Sequence, residues 1–242
     1  MDSKKNNENK QKRPRIVEIV GPAGAGKTTL CKLLSLSRGI RLSNFPDVRN
    51  VVNVPFFILY GLRLTPVLTR ISRFGDRQLS RREFAWLTIL SGWSTVLQKE
   101  LKKNNSIILL DQGPVYLLSE ISEFGPRCLK DARTEQVWQM WYHQWAAILD
   151  VIVWLDAADE CLLERIRNRE KQHIMKAESA RVIFEFLGRY RRVYEHTLSS
   201  LAASRGDLKV FRFDTTRQAP EVIADQLLAE FDLKVVLSQD CK

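Results

Sequence analysis

The residues best suited to chemistry are Gly21-Pro22-Ala23-Gly24-Ala25-Gly26-Lys27-Thr28-Thr29. Glycines at 21, 24 and 26 let a backbone turn tightly enough for successive N–H groups to converge, and converging N–H groups bind phosphate oxygens. In such a turn the lysine reaches the β- and γ-phosphates of a nucleoside triphosphate, and the following hydroxyl holds Mg²⁺. Those roles fall to Lys27 and Thr28. The spacing satisfies G-x-x-x-x-G-K-[ST] in full. A β-branched run, Ile16–Val20, precedes the turn, and the helical pattern TTLCKLLSL follows it. The helix would add the positive end of its dipole to the same phosphates. The main chain and side chains of 21–29 are therefore expected to bind ATP with Mg²⁺.

Two further groups carry charge of the right kind. The run IILLDQG, residues 107–113, is a short apolar strand that ends on a carboxylate. Beside a phosphate loop, such a carboxylate orients the water bound to a metal or takes the proton of an attacking hydroxyl. Asp111 is the candidate for both tasks and, with Thr28, for holding the metal. Asp156 ends another apolar strand, but a helical pattern begins at once, so Asp156 or Asp159 reads as a helix cap. In ECLLERIRNREKQH, residues 160–173, Arg165 and Arg169 stand four apart and share a helix face. They would either clamp a transferring phosphoryl group or pair with Glu164 and Glu170 on a solvated surface.

These groups need a frame. Strand-like runs occur at 16–20, 40–42, 106–111, 150–156 and 208–214, each nearly continuous in apolar residues, as strands covered on both faces are. Helical patterns alternate with them at 27–37, 81–103, 134–149, 159–169, 177–203 and 220–231. That alternation predicts an α/β fold, a five-stranded parallel sheet flanked by helices, with the ligand at the carboxyl ends of the strands. Residues 45–80, with Pro46, Pro55 and Pro66, give no clear pattern.

The chain has 242 residues, 45% hydrophobic and 27% charged, enough for one α/β domain with a helical insertion. No apolar run approaches the roughly 20 residues of a membrane span; VPFFILYGL, residues 54–62, is broken by Pro55 and Gly61 and reads as a buried helix or the wall of a substrate region. The opening residues lack the apolar core of a secretory signal, so a cytoplasmic protein is expected. Cys31, Cys128, Cys161 and Cys241 have no metal-ligand or paired spacing and read as reduced thiols. Of the net charge of +10, residues 1–15 contribute +4 from a polar tail unable to order itself. The basic body suits an anionic small molecule, and nucleic acid is not expected as a partner. Trp138, Trp141 and Trp145 recur at helical spacing and read as a buried face or a homodimer seam. Tyr190 and Tyr194, among Arg189, Arg191 and Arg192, read as a structural helix.

Taken in order, these motifs resemble the thymidylate kinase branch of the nucleoside-monophosphate kinase and deoxynucleoside kinase group. The likeness runs over residues 15–231 and rests on five segments: the phosphate loop, NFPDVR after the second strand, the strand ending in Asp111, VIVWLDAADECLLERIRNRE, and FRFDTTRQAPEVIADQL. The resemblance implies a P-loop three-layer sandwich over 15–235, with an acceptor-binding helical region at 45–103 and a lid-like segment at 165–180. It implies ATP-dependent phosphoryl transfer to a small acceptor, a nucleotide or nucleoside. Carried onto this chain, the acceptor motif falls on Phe45, Pro46 and Asp47, with Arg49 one residue late, and the base-stacking aromatic falls on Trp86.

Two departures stand beside the likeness. Gln112 follows Asp111 where the family has arginine, and Leu90 occupies a second arginine position. Either Arg49, Arg81 and Arg82 replace those cations, or the acceptor carries less charge, as a nucleoside, a sugar or another hydroxyl compound does. Gln112 also fits a water-positioning role, which leaves open ATP hydrolysis or nucleotide binding without an acceptor.

Overall fold

The computed structural model describes residues 15–74, 77–169 and 174–233. Residues 1–14 of the basic tail, Cys241 and residues 170–173 of the lid-like segment lie outside them. Five strands, β1 (Ile16–Val20), β2 (Ile40–Ser43), β3 (Ile107–Asp111), β4 (Val151–Asp156) and β5 (Lys209–Asp214), form one sheet in the order β2-β3-β1-β4-β5. Every pairing is parallel. The middle strands β1, β3 and β4 are apolar almost throughout because helices cover both faces, as the sequence pattern predicted.

The helices are α1 (Lys27–Ser35), α2 (Val54–Arg63), α3 (Thr65–Phe74), α4 (Arg81–Lys103), α5 (Pro114–Phe124), α6 (Glu135–Ala146), α7 (Asp159–Arg167), α8 (Ala180–Ser204) and α9 (Pro220–Glu230). Two hydrophobic layers result. One lies under α1, α7 and α9, around Leu30, Leu34, Ile166 and Leu227. The other lies under α4, α5, α6 and α8, around Trp93, Leu118, Trp145 and Leu201. This is the three-layer α/β sandwich with a parallel sheet.

α4 starts on a reciprocal cap: Glu83 N–H donates to Ser80 Oγ at 3.2 Å, and Ser80 N–H donates to Glu83 Oε2 at 2.8 Å. Against α4 packs the tryptophan face of α6. Trp141 and Trp145 are fully buried, and the indole N–H groups of Trp138 and Trp145 donate to the carbonyls of Leu129 and Leu90. A buried aromatic whose polar atom is paired is a core residue. The stripe is the wall of a helix pair.

Three features differ from the sequence reading. Residues 114–124 form α5, which periodicity did not flag, although Pro114 at its first turn and Gly125 at its end are ordinary boundary signals. Residues 54–62 form a helix that buries Tyr60 and Gly61 while Ile58, Leu59 and Leu62 face outward, so it is half-covered, not buried. The expected caps on α7 are also replaced. Ala158 occupies the cap position, and the carboxylates of Asp156 and Asp159 both hold the Arg191 guanidinium, at 2.7 and 2.5 Å. Asp156 Oδ1 accepts the Ala157 N–H at 2.8 Å as well as the guanidinium, so its carboxylate serves the turn into α7 and the ion pair together.

Candidate functional site

The sheet order puts β1 between β3 and β4, so the loop leaving β1 meets the carboxyl ends of both neighbours. Gly21 makes the first turn at φ 145°, where a Cβ atom would come within 2.0 Å of the Leu155 carbonyl oxygen on β4. Only glycine fits. The loop then wraps to α1, and Lys27 Nζ donates to the carbonyls of Gly21 and Pro22, both at 2.8 Å. Burial lowers the Lys27 pKa to about 8; the Asp111 carboxylate opposes that shift and the Arg169 charge adds to it. The ammonium thus lies inside the loop, with Arg169 close enough to be felt.

The next residue acts across the sheet: Thr28 Oγ1 donates to Asp111 Oδ2 at 2.9 Å, joining α1 to the end of β3. The contact brings together two oxygen ligands from segments 83 residues apart. Hard-oxygen donors of this kind suit Mg²⁺, whose remaining positions are filled by phosphate and water.

Past Asp111 the chain turns sharply. Gln112 has φ 69°, and the next three N–H groups available, from Gly113, Val115 and Tyr116, all donate to the Glu18 carboxylate at 2.8, 3.0 and 3.1 Å. Glu18 is fully buried on β1, and burial raises its pKa to about 8 against the pull of those three N–H groups. A Cβ on Gly113 would lie 2.7 Å from the carboxyl carbon, so glycine is needed for this approach. Glu18 therefore caps α5 from the neighbouring strand and fixes the turn carrying Asp111 and Gln112. Sequence reasoning missed it; the signal was a lone acid in an otherwise apolar central strand.

A cavity of about 650 Å³ opens over this arrangement. The loop residues 21 and 23–29, Gln112, Arg165 and Arg169 line it, so the structure gathers these sequence-predicted residues in one place. Arg165 is not on a solvated surface paired with Glu164. Its guanidinium donates to Thr215 Oγ1 and to the Thr215 carbonyl, both at 2.9 Å, and to the Gly24 carbonyl at 3.3 Å. It fastens α7 to the loop and to the turn after β5. On the side of α5 and α8 the lining is different: Tyr116 and Glu120 of α5, and Phe186, Tyr190 and Tyr194 of α8. Tyr190 Oη donates to Glu120 Oε1, and burial raises the Glu120 pKa. None of these side chains was singled out as an acceptor contact in the sequence. α5 was not recognised there, and the tyrosines of α8 looked like helix packing.

Four sequence candidates for the acceptor are not among the described residues that line the cavity. Phe45 packs edge-on against Trp93 at 6.2 Å. Asp47 Oδ1 accepts the Arg49 N–H at 2.9 Å within its own turn, and Arg49 is exposed. Trp86 is only 8% exposed; Arg82 stacks over its ring at 4.2 Å, and Tyr116 meets it edge-on. Its ring is already covered.

No protein-family model matches the chain, and no curated protein matches it. Solved structures do. A thymidylate kinase from Candida albicans superposes with a TM-score of 0.53 at 17% identity, over 91% of this chain and 92% of that one. The YorR protein from Bacillus subtilis, solved with phosphorylated GDP, superposes at 0.50 and 16% identity, over 90% of this chain and 95% of that one. At such identities the likeness is one of fold. The chain has the P-loop kinase fold over nearly its whole described length.

Proposed function

We propose that this P-loop kinase fold serves an ATP-dependent phosphotransferase, which moves the γ-phosphoryl group to a small acceptor of the nucleotide or nucleoside class. One observation carries the reading: the Thr28–Asp111 contact joins the phosphate loop to the strand-end carboxylate next to Gln112, and Thr28 and Gln112 both line a cavity large enough for two small ligands. A loop that only grips phosphate has no need of that carboxylate or of the space beyond it.

The roles follow from chemistry. The N–H groups of residues 21–29 and the Lys27 ammonium bind the donor polyphosphate. Thr28 and Asp111 would hold Mg²⁺, which when bound neutralises charge on the phosphates. Asp111 also takes up the proton of the acceptor hydroxyl. Arg169 neutralises charge that develops on the transferring group, while Arg165, held by Thr215 and Gly24, keeps α7 against the loop. Gln112, on the cavity wall beside Asp111, meets the acceptor. Phosphoryl transfer is mostly positioning and electrostatics, so this short set suffices.

The test is to incubate the full chain with Mg-ATP and follow ADP with and without a panel of nucleosides and nucleotides. Acceptor-dependent ADP is expected. Turnover that ignores every acceptor would reassign the site to hydrolysis, and calorimetry showing no magnesium-dependent ATP uptake would remove the reading altogether.

A further inference from the structure

The chain between Asp47 and Asp76 is basic and apolar at once. Residues 48–75 hold four arginines and neither Asp nor Glu. Within them, α2 is apolar on every side: Phe56, Phe57 and Tyr60 pack inward, and Val54, Ile58, Leu59 and Leu62 face out. A helix with apolar residues all round is ordinarily buried, in protein or in lipid. Here Ile58 is 60% exposed and Leu62 68%, and Val51 and Val52, in the turn before the helix, are each 79% exposed.

Those side chains are held outward. α2 is keyed to α4 at two glycines: a Cβ on Gly92 would lie 2.3 Å from the Tyr60 ring, and one on Gly61 would lie 3.1 Å from Phe84. That fit fixes which face of α2 turns in. The turn before it is ordered too. Asp47 Oδ1 accepts the Arg49 N–H, Asn53 Nδ2 donates to the Asp47 carbonyl at 2.9 Å, and Asn50 caps the short 3-10 helix Val51–Asn53. None of residues 48–74 is among the described residues that line the cavity, so the patch is separate from the phosphate site.

Charge decides what covers it. Arg49 and Arg63 are exposed at its two ends, and the Arg63 guanidinium lies 5.0 Å from the centre of the Tyr60 ring. Acids on the neighbouring elements are engaged: Asp47 in its own turn, and Glu83 and Glu100 of α4 by Arg77 and Arg41. In a two-fold contact the patch would meet the same patch, arginines included, and it brings no acid of its own to receive them. Anionic lipid headgroups do receive guanidinium groups, and the acyl region beneath them takes valine, isoleucine and leucine. Arginine stems reach between those two layers. α2 has ten residues, about 15 Å at 1.5 Å per residue, so it would lie in the interface and not cross it. The net charge of +10 adds attraction at longer range.

We propose that this face binds the surface of an anionic bilayer, with Val51, Val52, Ile58 and Leu62 below the headgroups and Arg49 and Arg63 among them. Binding of this kind needs no nucleotide and does not depend on the kinase reading.

Co-sedimentation of the full chain with vesicles tests it, using phosphatidylcholine alone or mixed with phosphatidylglycerol. Binding to the mixed vesicles is expected to exceed binding to phosphatidylcholine at least about tenfold at low salt, and to weaken as salt is added. Ile58→Ser combined with Leu62→Ser leaves the charge unchanged. It should lower binding to mixed vesicles about tenfold, while the melting temperature and Mg-ATP uptake stay near wild type. Arg63→Gln should lower the same binding severalfold. Met140→Ser, at an exposed apolar residue of α6, should bind as wild type does. No binding, equal binding to both kinds of vesicle, or wild-type binding by the serine pair or by Arg63→Gln would overturn the proposal. Analytical ultracentrifugation without lipid addresses the other occupant. A monomer is expected; a dimer that the serine pair dissociates would give the face to a second copy and overturn the proposal as well.

Discussion

The two halves of the cleft are built in different ways. The half that grips phosphate is contiguous in sequence: nine residues, 21–29, supply its backbone N–H groups, its ammonium and its hydroxyl. The half facing it is assembled from α5 and α8, and its Glu120–Tyr190 contact joins residues 70 positions apart. Backbone chemistry that needs glycine at fixed spacing leaves a pattern in the chain. Side-chain chemistry brought together by helix packing leaves none.

That contrast accounts for what the sequence revealed. The five strands, α4 and the loop were readable because apolar runs, a long helical period and a glycine pattern are local signals. Asp111 was readable because a carboxylate ending an apolar strand is a local signal, one that Asp156 shares. Trp86 misled, because an aromatic at family spacing looks the same in sequence whether its face is open or, as here, covered by Arg82. Glu18 and Glu120 went unnoticed because an acid inside a strand, or inside a helix not yet recognised, announces its role only through what it touches.

The largest effect should come from the contiguous half. Lys27→Ala removes the ammonium inside the loop and is expected to lower phosphoryl transfer about 10³-fold or more, with the melting temperature nearly unchanged. Wild-type turnover in that variant would show that the loop is not the donor site. Behind the assembled half, where Trp86 of α4 packs against Tyr116 of α5, the response should come through stability. Trp86→Ala empties a core position and should cost about 3–5 kcal/mol, measured by denaturant unfolding. A variant that keeps its stability but loses acceptor binding would return Trp86 to the acceptor site.

Glu18 joins the halves, since its carboxylate on β1 caps α5, and its effect should be spread over pH. Its pKa rises from 4.5 to about 8 in the fold, so between those values the folded chain keeps a proton that the unfolded chain has lost. Stability should therefore fall as pH climbs through that window, by up to about 1.4 kcal/mol per pH unit, and level off above it. Glu18→Gln, which cannot ionise, should flatten the slope. A wild-type slope of zero between pH 5 and 8 would mean that the three N–H groups hold Glu18 ionised throughout.

Glu83 supplies the smallest effect and the opposite sign. Arg77 and the Ser80 cap hold its pKa down at about 2, below its ordinary 4.5. Its contribution is present above pH 4.5 and is lost as pH falls toward 2, because the unfolded chain takes up the proton first. Glu83→Gln keeps an oxygen for the Ser80 N–H but loses the charge that holds Arg77 at 2.5 and 2.8 Å, so a cost of about 1–2 kcal/mol at neutral pH is expected. Subtracting the variant's stability–pH curve from that of the wild type should give a difference that disappears below pH 2, where the Glu18 subtraction is flat. If both differences fell in the same pH window, one carboxylate would be titrating under the influence of the other. The start of α4 and the start of α5 would then be one electrostatic unit, and the division of the cleft into two separately built halves would fail.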